Sequence, residues 1–339
     1  MNKPRIAITM GDPAGIGPEV ILKALSRRAL RQRCEPILFG DLAWLRHTQK
    51  RALKRHAAGR LALASTSMGK SAIRVVDFGN AAHGAIHFGK ESAAAGRASG
   101  EYISSAVDAV RHHFADALVT APINKVSFRL GGWGEQFIGH TEMLAKLTGA
   151  RDVGLMLIHG PLRAIHVTSH VALKDVAGLI TVKRVSAAIR LAHAGVRALG
   201  ISRPRIAVCG LNPHAGDGGL MGQEEERTIA PAIAACRKDG LRVHGPLAAD
   251  TVWPLLLGGK FDVGVAMYHD QGQIPVKMHG FRVGKNATKS GGVNVTVGLP
   301  IIRTSPAHGT AFDLAGKGVA SEESFVEAIE LAIDMVRRA

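Results

Sequence analysis

Aromatic side chains are scarce in this chain. Only 4% of its 339 residues are Phe, Trp or Tyr, so its interior must be built from Ala, Val, Ile, Leu and Gly, a composition that suits an α/β fold. Cysteine is rarer still. Cys34, Cys209 and Cys236 show no paired spacing, which argues against a disulfide framework or a cysteine zinc site and for a reducing compartment. No apolar run is long enough to span a bilayer. The chain passes from Met1 directly into the strand-like Arg5–Met10 with no signal-peptide pattern, so the expectation is a cytoplasmic protein. Neither GxGxxG nor the Walker spacing is present.

What is abundant is apolar residues and positive charge. At 46% hydrophobic, the chain can bury the core of one large or two medium domains. Much of the formal charge of +16 lies between Arg27 and Arg60. These cations read as a solvated helical face. Nucleic-acid binding is the non-enzyme alternative, but no aromatic residues interleave with them to form a stacking platform. A basic surface also attracts small anions.

Short apolar runs alternate with helical periods, which predicts an α/β sheet protein. Arg5–Met10 leads into Gly11-Asp12-Pro13-Ala14-Gly15-Ile16-Gly17, a tight turn before a helix running from Val20 to about Leu30, with Pro18 suited to its first position. Ala117–Val119 ends at Thr120-Ala121-Pro122-Ile123-Asn124-Lys125, where Lys125 is either a ligand group or a helix-start residue. His140 and Thr141 fall at a predicted helix N-terminus, which favours an anion, though Thr141 could simply cap that helix. Val153–Ile158 and Ala164–Thr168 read as a hairpin. Arg282–Gly292 reads as an exposed loop, and Ser321 as the cap of a last helix from Glu322 to Arg337.

Three apolar runs end in histidine. Ala164–Thr168 opens into His170, Ile206–Cys209 into His214, and Val263–Met267 into His269. Strands of an α/β sheet place their chemistry at their carboxyl ends, so these three could converge on one metal. Asp250 could face the same cleft.

The stretches GDPAGIGPE (11–19), TAPINK (120–125), GHTEML (139–144), GLNPHAGDGG (210–219), PLAADT (246–251), YHDQG (268–272), GVNVTVGLPIIRTS (292–305) and HGTAFDLAGKG (308–318) follow one another along nearly the whole chain. Together they resemble the 4-hydroxythreonine-4-phosphate dehydrogenase family of vitamin B6 biosynthesis. The last stretch is also similar to the adenosine-binding loop of isopropylmalate and isocitrate dehydrogenases, which use a dinucleotide without GxGxxG. The resemblance implies a two-domain isocitrate/isopropylmalate dehydrogenase-like α/β fold with α/β/α layers and an active-site cleft. Residues 1–126 and 270–339 would form the first domain and residues 127–269 the second, which carries dimerisation, with Val263–Met267 crossing back into the first. It implies a homodimer with its active site at the interface.

The implied reaction is metal-dependent, NAD- or NADP-linked oxidation and decarboxylation of 4-phosphohydroxy-L-threonine to 3-amino-2-oxopropyl phosphate. By the same resemblance, His170, His214 and His269 hold one divalent ion (zinc, magnesium or cobalt). Substrate is contacted by His140, Thr141, Lys277, Asn294 and Arg303, and the cofactor by His308, Gly309, Thr310 and Ala311, with Thr310 beginning a short helix. Lys277 or Asp250 relays a proton. One departure is visible: RVGKNATKSGG (282–292) is longer than the family pattern leads one to expect. It keeps D-threonate and D-erythronate 4-phosphate open as substrates, and a terephthalate cis-dihydrodiol as a third. A metal-dependent phosphohydrolase is the rival enzyme class.

Overall fold

In the computed structural model, residues 3–65, 72–81, 84–283 and 288–339 are described. Among them, twelve strands form one sheet. In chain order the strands are β1 (Arg5–Thr9), β2 (Glu35–Gly40), β3 (Leu63–Ala64), β4 (Ile73–Asp77), β5 (Ala117–Thr120), β6 (Gly154–His159), β7 (Leu162–His166), β8 (Arg205–Cys209), β9 (Arg242–Leu247) and β10 (Val263–Ala266). They continue with β11 (Phe281–Val283), β12 (Thr288–Ser290), β13 (Val293–Val297) and β14 (Arg303–Pro306). The sheet order is β3-β4-β2-β1-β5-β14-β13-β6-β7-β10-β8-β9, with β11 and β12 pairing separately.

Pairing direction divides this sheet. The strands β3, β4, β2, β1, β5 and β14 run parallel to one another, and so do β7, β10, β8 and β9. Between the two blocks, β14–β13, β13–β6 and β6–β7 are all antiparallel. Three reversals leave the blocks pointing in opposite directions. Their carboxyl ends therefore open toward opposite edges, and the antiparallel seam β14-β13-β6 is the ground between them. The parallel strands are nearly continuous apolar runs, as expected where helices cover both faces; β5 and β10 are buried throughout.

The local signals hold with small shifts. Pro18 stands at the start of the helix Gly17–Ser26, but this helix stops at Ser26 and Arg28–Arg33 forms a separate short one. Ser92 and Thr181 cap their helices, each accepting a backbone N–H. Ser321 lies one residue before the cap of Glu323–Arg338, and its hydroxyl still accepts from Glu323 N at 3.4 Å.

Three expectations are corrected. Val263–Met267 does not cross into the first block: its strand β10 lies between β7 and β8, where Val263 and Val265 join a core shared with Ile206 and Val208. Arg282–Gly292 is not simply a loop, because β11 and β12 pair within it; residues 284–287 lie outside the described residues. The helix expected at Thr310 is absent: 312–318 is a run of turns. The basic run is also partly neutralised. Arg27 pairs with Glu322 and Glu323, and Arg33 with Glu330 and Asp334, all on or beside the last helix. Among the described residues, no helix is long and apolar enough to cross a membrane.

Candidate active site

Register puts a set of polar side chains on one face of the seam. Arg303 aligns with Leu118 in the parallel β14–β5 pair, so Thr120, two residues on, shares the face of Arg303 and Ser305. Asn294 opposes Ser305, and Thr296 opposes Leu155. Over this face lies a cavity of about 210 Å³. Its walls bring together Thr120 and Lys125, the helix start at His140, Thr141 and Glu142, the seam residues Asn294 and Arg303, and His170, His308 and Gly309. Four of the five predicted substrate residues thus meet one predicted metal ligand and two predicted cofactor residues.

Arg303 is the electrostatic centre of this cavity. It is 3% exposed, and among the described residues no carboxylate pairs with it. Its Nη1 donates to Thr296 Oγ1 at 2.9 Å and its Nη2 to Thr120 Oγ1 at 2.5 Å, while its buried Nε has no partner. Burial pushes its pKa down to about 9. A guanidinium retains its proton even so, and the penalty becomes a demand for an anion. Beside it, burial and then the Arg303 charge hold the His140 imidazole well below its usual range, and its buried Nε2 lacks a partner. Thr141 does not cap its helix: His140–Thr148 begins after Gly139, which offers no side-chain cap. Lys125 begins the helix Lys125–Leu130, capped by Asn124, and also lines the cavity. The helix-start reading holds.

The predicted cofactor residues sit where two sequence motifs meet. Ile16 N donates to Thr310 O at 3.0 Å, and a Cβ added at Gly15 would come within 3.0 Å of the Thr310 side chain. Gly15 therefore permits this close approach. Gly11 adopts φ +72°, and a Cβ there would collide with Pro122 O at 2.5 Å. Beyond the loop, the Glu19 carboxylate accepts from Gly318 N and Ala320 N, while Lys23 Nζ donates to Glu19 and to both carbonyls of those residues. This buried ion pair ties the 308–318 loop to the first helix. Ala311 takes φ +40°, in the left-handed region. His308 is held below its usual pKa by burial, and its buried Nε2 is unpartnered.

The predicted metal histidines separate into a pair and a single. The His170 and His269 ring centroids are 5.9 Å apart. His166, the last residue of β7, stacks at 6.0 Å from His269. Burial, then the charges of His269, His170 and Lys277, push His166 down to about 4; burial and Lys125 lower His170. Neutral imidazoles of this kind suit a divalent ion, and Asp270 Oδ1, 2.6 Å from His269 Nδ1, can orient that ring. His214 stands elsewhere. It is exposed, with φ 54°, in a turn where Ala215 and Asp217 are also left-handed. Glu225 pins the turn's base by accepting from Leu211 N and Asn212 N. Among the described residues, no three His, Cys, Asp or Glu side chains of the single chain are gathered to hold a metal. Of the two relay candidates, Lys277 acts electrostatically on His166, whereas Asp250 is exposed, with the Thr251 hydroxyl 3.4 Å away.

Comparison with known proteins agrees along the whole chain. The profile of the family described as "Pyridoxal phosphate biosynthetic protein PdxA" matches residues 32–332. The D-threonate 4-phosphate dehydrogenase of Cupriavidus necator is 46% identical, over 99% of this chain and 98% of that protein. The 4-hydroxythreonine-4-phosphate dehydrogenase of Geobacter metallireducens is 43% identical, over 99% and 96%. Among solved structures, the 4-hydroxythreonine-4-phosphate dehydrogenase of Klebsiella pneumoniae superposes with a TM-score of 0.83 at 38% identity, covering 98% of this chain and all of that one.

Proposed function

The chain belongs to the PdxA family of pyridoxal phosphate biosynthetic proteins, and from that premise we propose that it oxidises and decarboxylates a 4-phosphorylated hydroxy acid, 4-phosphohydroxy-L-threonine in the first instance. The observation that carries this reading is the buried, unpaired Arg303 in a cavity shared with His140, His170, His308 and Gly309. Such a site favours a phosphate at one end and leaves metal and dinucleotide positions beside it.

In this reading, Arg303 offers its fork to the phosphate oxygens, with Thr141 and Asn294 as neutral donors and His140 donating through Nε2. His170 and His269, together with His214 from a second copy, would hold the divalent ion, whether zinc, magnesium or cobalt. His308, Gly309, Thr310 and Ala311 border the NAD or NADP site. When bound, the ion supplies a Lewis acid and the nicotinamide a hydride acceptor. Lys277, on the histidine side, takes the proton released from the substrate hydroxyl; the exposure of Asp250 makes it the weaker choice. Lys125 is placed to meet the carboxylate before it leaves as CO2.

A homodimer follows from the same reading. Exposed apolar side chains trail each predicted metal histidine: Val171 and Leu173, Leu220 and Met221, Ile274 and Met278. Covering them calls for an interface of the large class, above about 2,000 Å². A second substrate reading is D-threonate 4-phosphate, favoured by the 46% identical relative of that name. The deciding assay is NAD(P)H formation by purified protein with 4-phosphohydroxy-L-threonine, D-threonate 4-phosphate and D-erythronate 4-phosphate. The highest kcat/KM names the substrate. No NAD(P)H with any of the three would sink the reading.

A further inference from the structure

The three predicted metal histidines follow the ends of three neighbouring strands, and the backbone of one residue joins those ends. β10 lies between β7 and β8, and Met267, the residue after β10, is fully buried. On the β7 side, Met267 O accepts from Thr168 N at 3.1 Å and from Thr168 Oγ1 at 2.8 Å. Thr168 stands two residues before His170. On the β8 side, the last matched strand pair is Val265 with Val208, and the Gln271 side chain takes over from there. Its Oε1 accepts from Met267 N at 2.6 Å, and its Nε2 donates to Gly210 O at 2.8 Å. Gly210 opens the turn that carries His214. Gln271 lies two residues after His269, in the first turn of the helix His269–Gly280.

We propose that Gln271 is a positioning residue for the metal histidines, whose amide fixes the His214 turn to the segment carrying His269. The inference rests on the reading of His170, His214 and His269 as ligands. An amide is the group this gap requires, since one end must accept a hydrogen bond and the other donate one. A hydrocarbon of the same length makes neither bond. The turn has a second anchor in Glu225, presented by the wide π-helical turn Glu225–Ile229. Its carboxylate accepts from Leu211 N, Asn212 N and Asn212 Nδ2. His214 and Ala215 are left-handed, a backbone that persists only where its surroundings over-determine it. Glu225 shapes the turn, and Gln271 sets where the turn stands relative to His269. In the proposed dimer these two histidines of one chain serve different ions, so the same link spaces the two metal positions.

The test reads metal affinity and uses no substrate. Cobalt(II) alone is titrated by calorimetry into the full-length protein after chelator treatment, beside thermal melts. His214→Ala gives the scale of a lost ligand. Gln271→Met, similar in volume but without either hydrogen bond, weakens cobalt binding about tenfold, as loss of a group that orients ligands does. Gln271→Leu, the second variant, shows the same loss. Unchanged cobalt affinity in either folded variant, while His214→Ala loses it, overturns the role of Gln271 and leaves the histidine reading standing. A lower melting temperature with unchanged affinity has the same meaning, because a prop for the fold alone does not move a dissociation constant of the folded protein. Unchanged affinity in His214→Ala overturns the histidine reading itself, and the role of Gln271 falls with it.

Discussion

The cavity around Arg303 and the histidine face beside it are neighbours built on opposite plans. The first is assembled within one chain: β5, β13, β14 and the start of the helix His140–Thr148 bring their polar groups to one wall. The second is only partly assembled. His170 and His269 are 5.9 Å apart, His214 projects from a strained, exposed turn, and exposed Leu220, Ile274 and Met278 lie close by in sequence. A charged ligand can be met by one chain because a guanidinium needs little more than burial and two hydroxyls to be held in place. A three-ligand metal site demands tighter geometry, and the proposed function meets that demand with a histidine from a second copy.

The strongest break in this contrast is His214→Ala. Turnover is abolished while the fold survives, since an exposed side chain contributes little packing. Sharing between chains gives a sharper form of the test. His214→Ala and Arg303→Ala are each inactive alone, but when they are mixed and allowed to exchange subunits, half the dimers are hybrids. Each hybrid keeps one cavity with both residues intact, so activity returns to about a quarter of the unmutated level. No recovery, with exchange verified by mass, would mean that each chain provides its own His214.

Next in size is Arg303→Ala in the unmixed protein. Removing a buried cation from a phosphate site costs roughly 2–5 kcal/mol in transition-state binding, read as kcat/KM with the phosphorylated substrate. Inorganic phosphate should raise the melting temperature of the unmutated protein by binding the native state and should not stabilise the variant. A change in kcat/KM under about threefold would place the phosphate elsewhere, because a substrate charge pair in a desolvated site is worth more than that.

How much of this was legible in the sequence follows the same division. The parallel strands, their helices and the caps at Ser92 and Thr181 were readable because period, apolar runs and turn residues are local. Of the direction reversals, only the β6–β7 hairpin was. Nothing in β13 or β6 announces antiparallel pairing with distant strands, so the rule placing chemistry at strand carboxyl ends pointed to an edge when the cavity in fact lies on the seam's face. Thr120, Ser305 and Thr296 were missed for that reason: each is an ordinary strand residue until the register aligns it with Arg303. His166 was hidden as the last residue of β7, although it alternates with Ala164 and so had a definite face. Glu19 and Lys23 did carry a local signal, an i,i+4 ion pair inside an otherwise apolar helix, which the sequence reading left unused. His140, Asn294 and Arg303 were placed by resemblance, and the cavity gathers them.

The smallest predicted effect lies beneath the complete region, at Asp12. This carboxyl is fully buried, and its Oδ1 accepts from Ala14 N at 2.8 Å. Burial raises its pKa to about 6, from the usual carboxylate range near 4. With the folded value above the unfolded one, the native state binds the extra proton between these limits. The associated stability is fully present below about pH 4 and is lost as pH rises through 6. A shift of this size corresponds to roughly 2–3 kcal/mol. Asp12→Asn keeps an oxygen for Ala14 N and carries no charge, so its urea midpoint should change less between pH 4 and 6 than that of the unmutated protein, and should be higher above pH 6. The histidine face should be indifferent to this exchange, and residual activity in the His214 hybrid test should be unchanged by it. Parallel pH profiles for the two proteins would show that Asp12 is ionised throughout and that the loop holding it is wetter than its burial indicates.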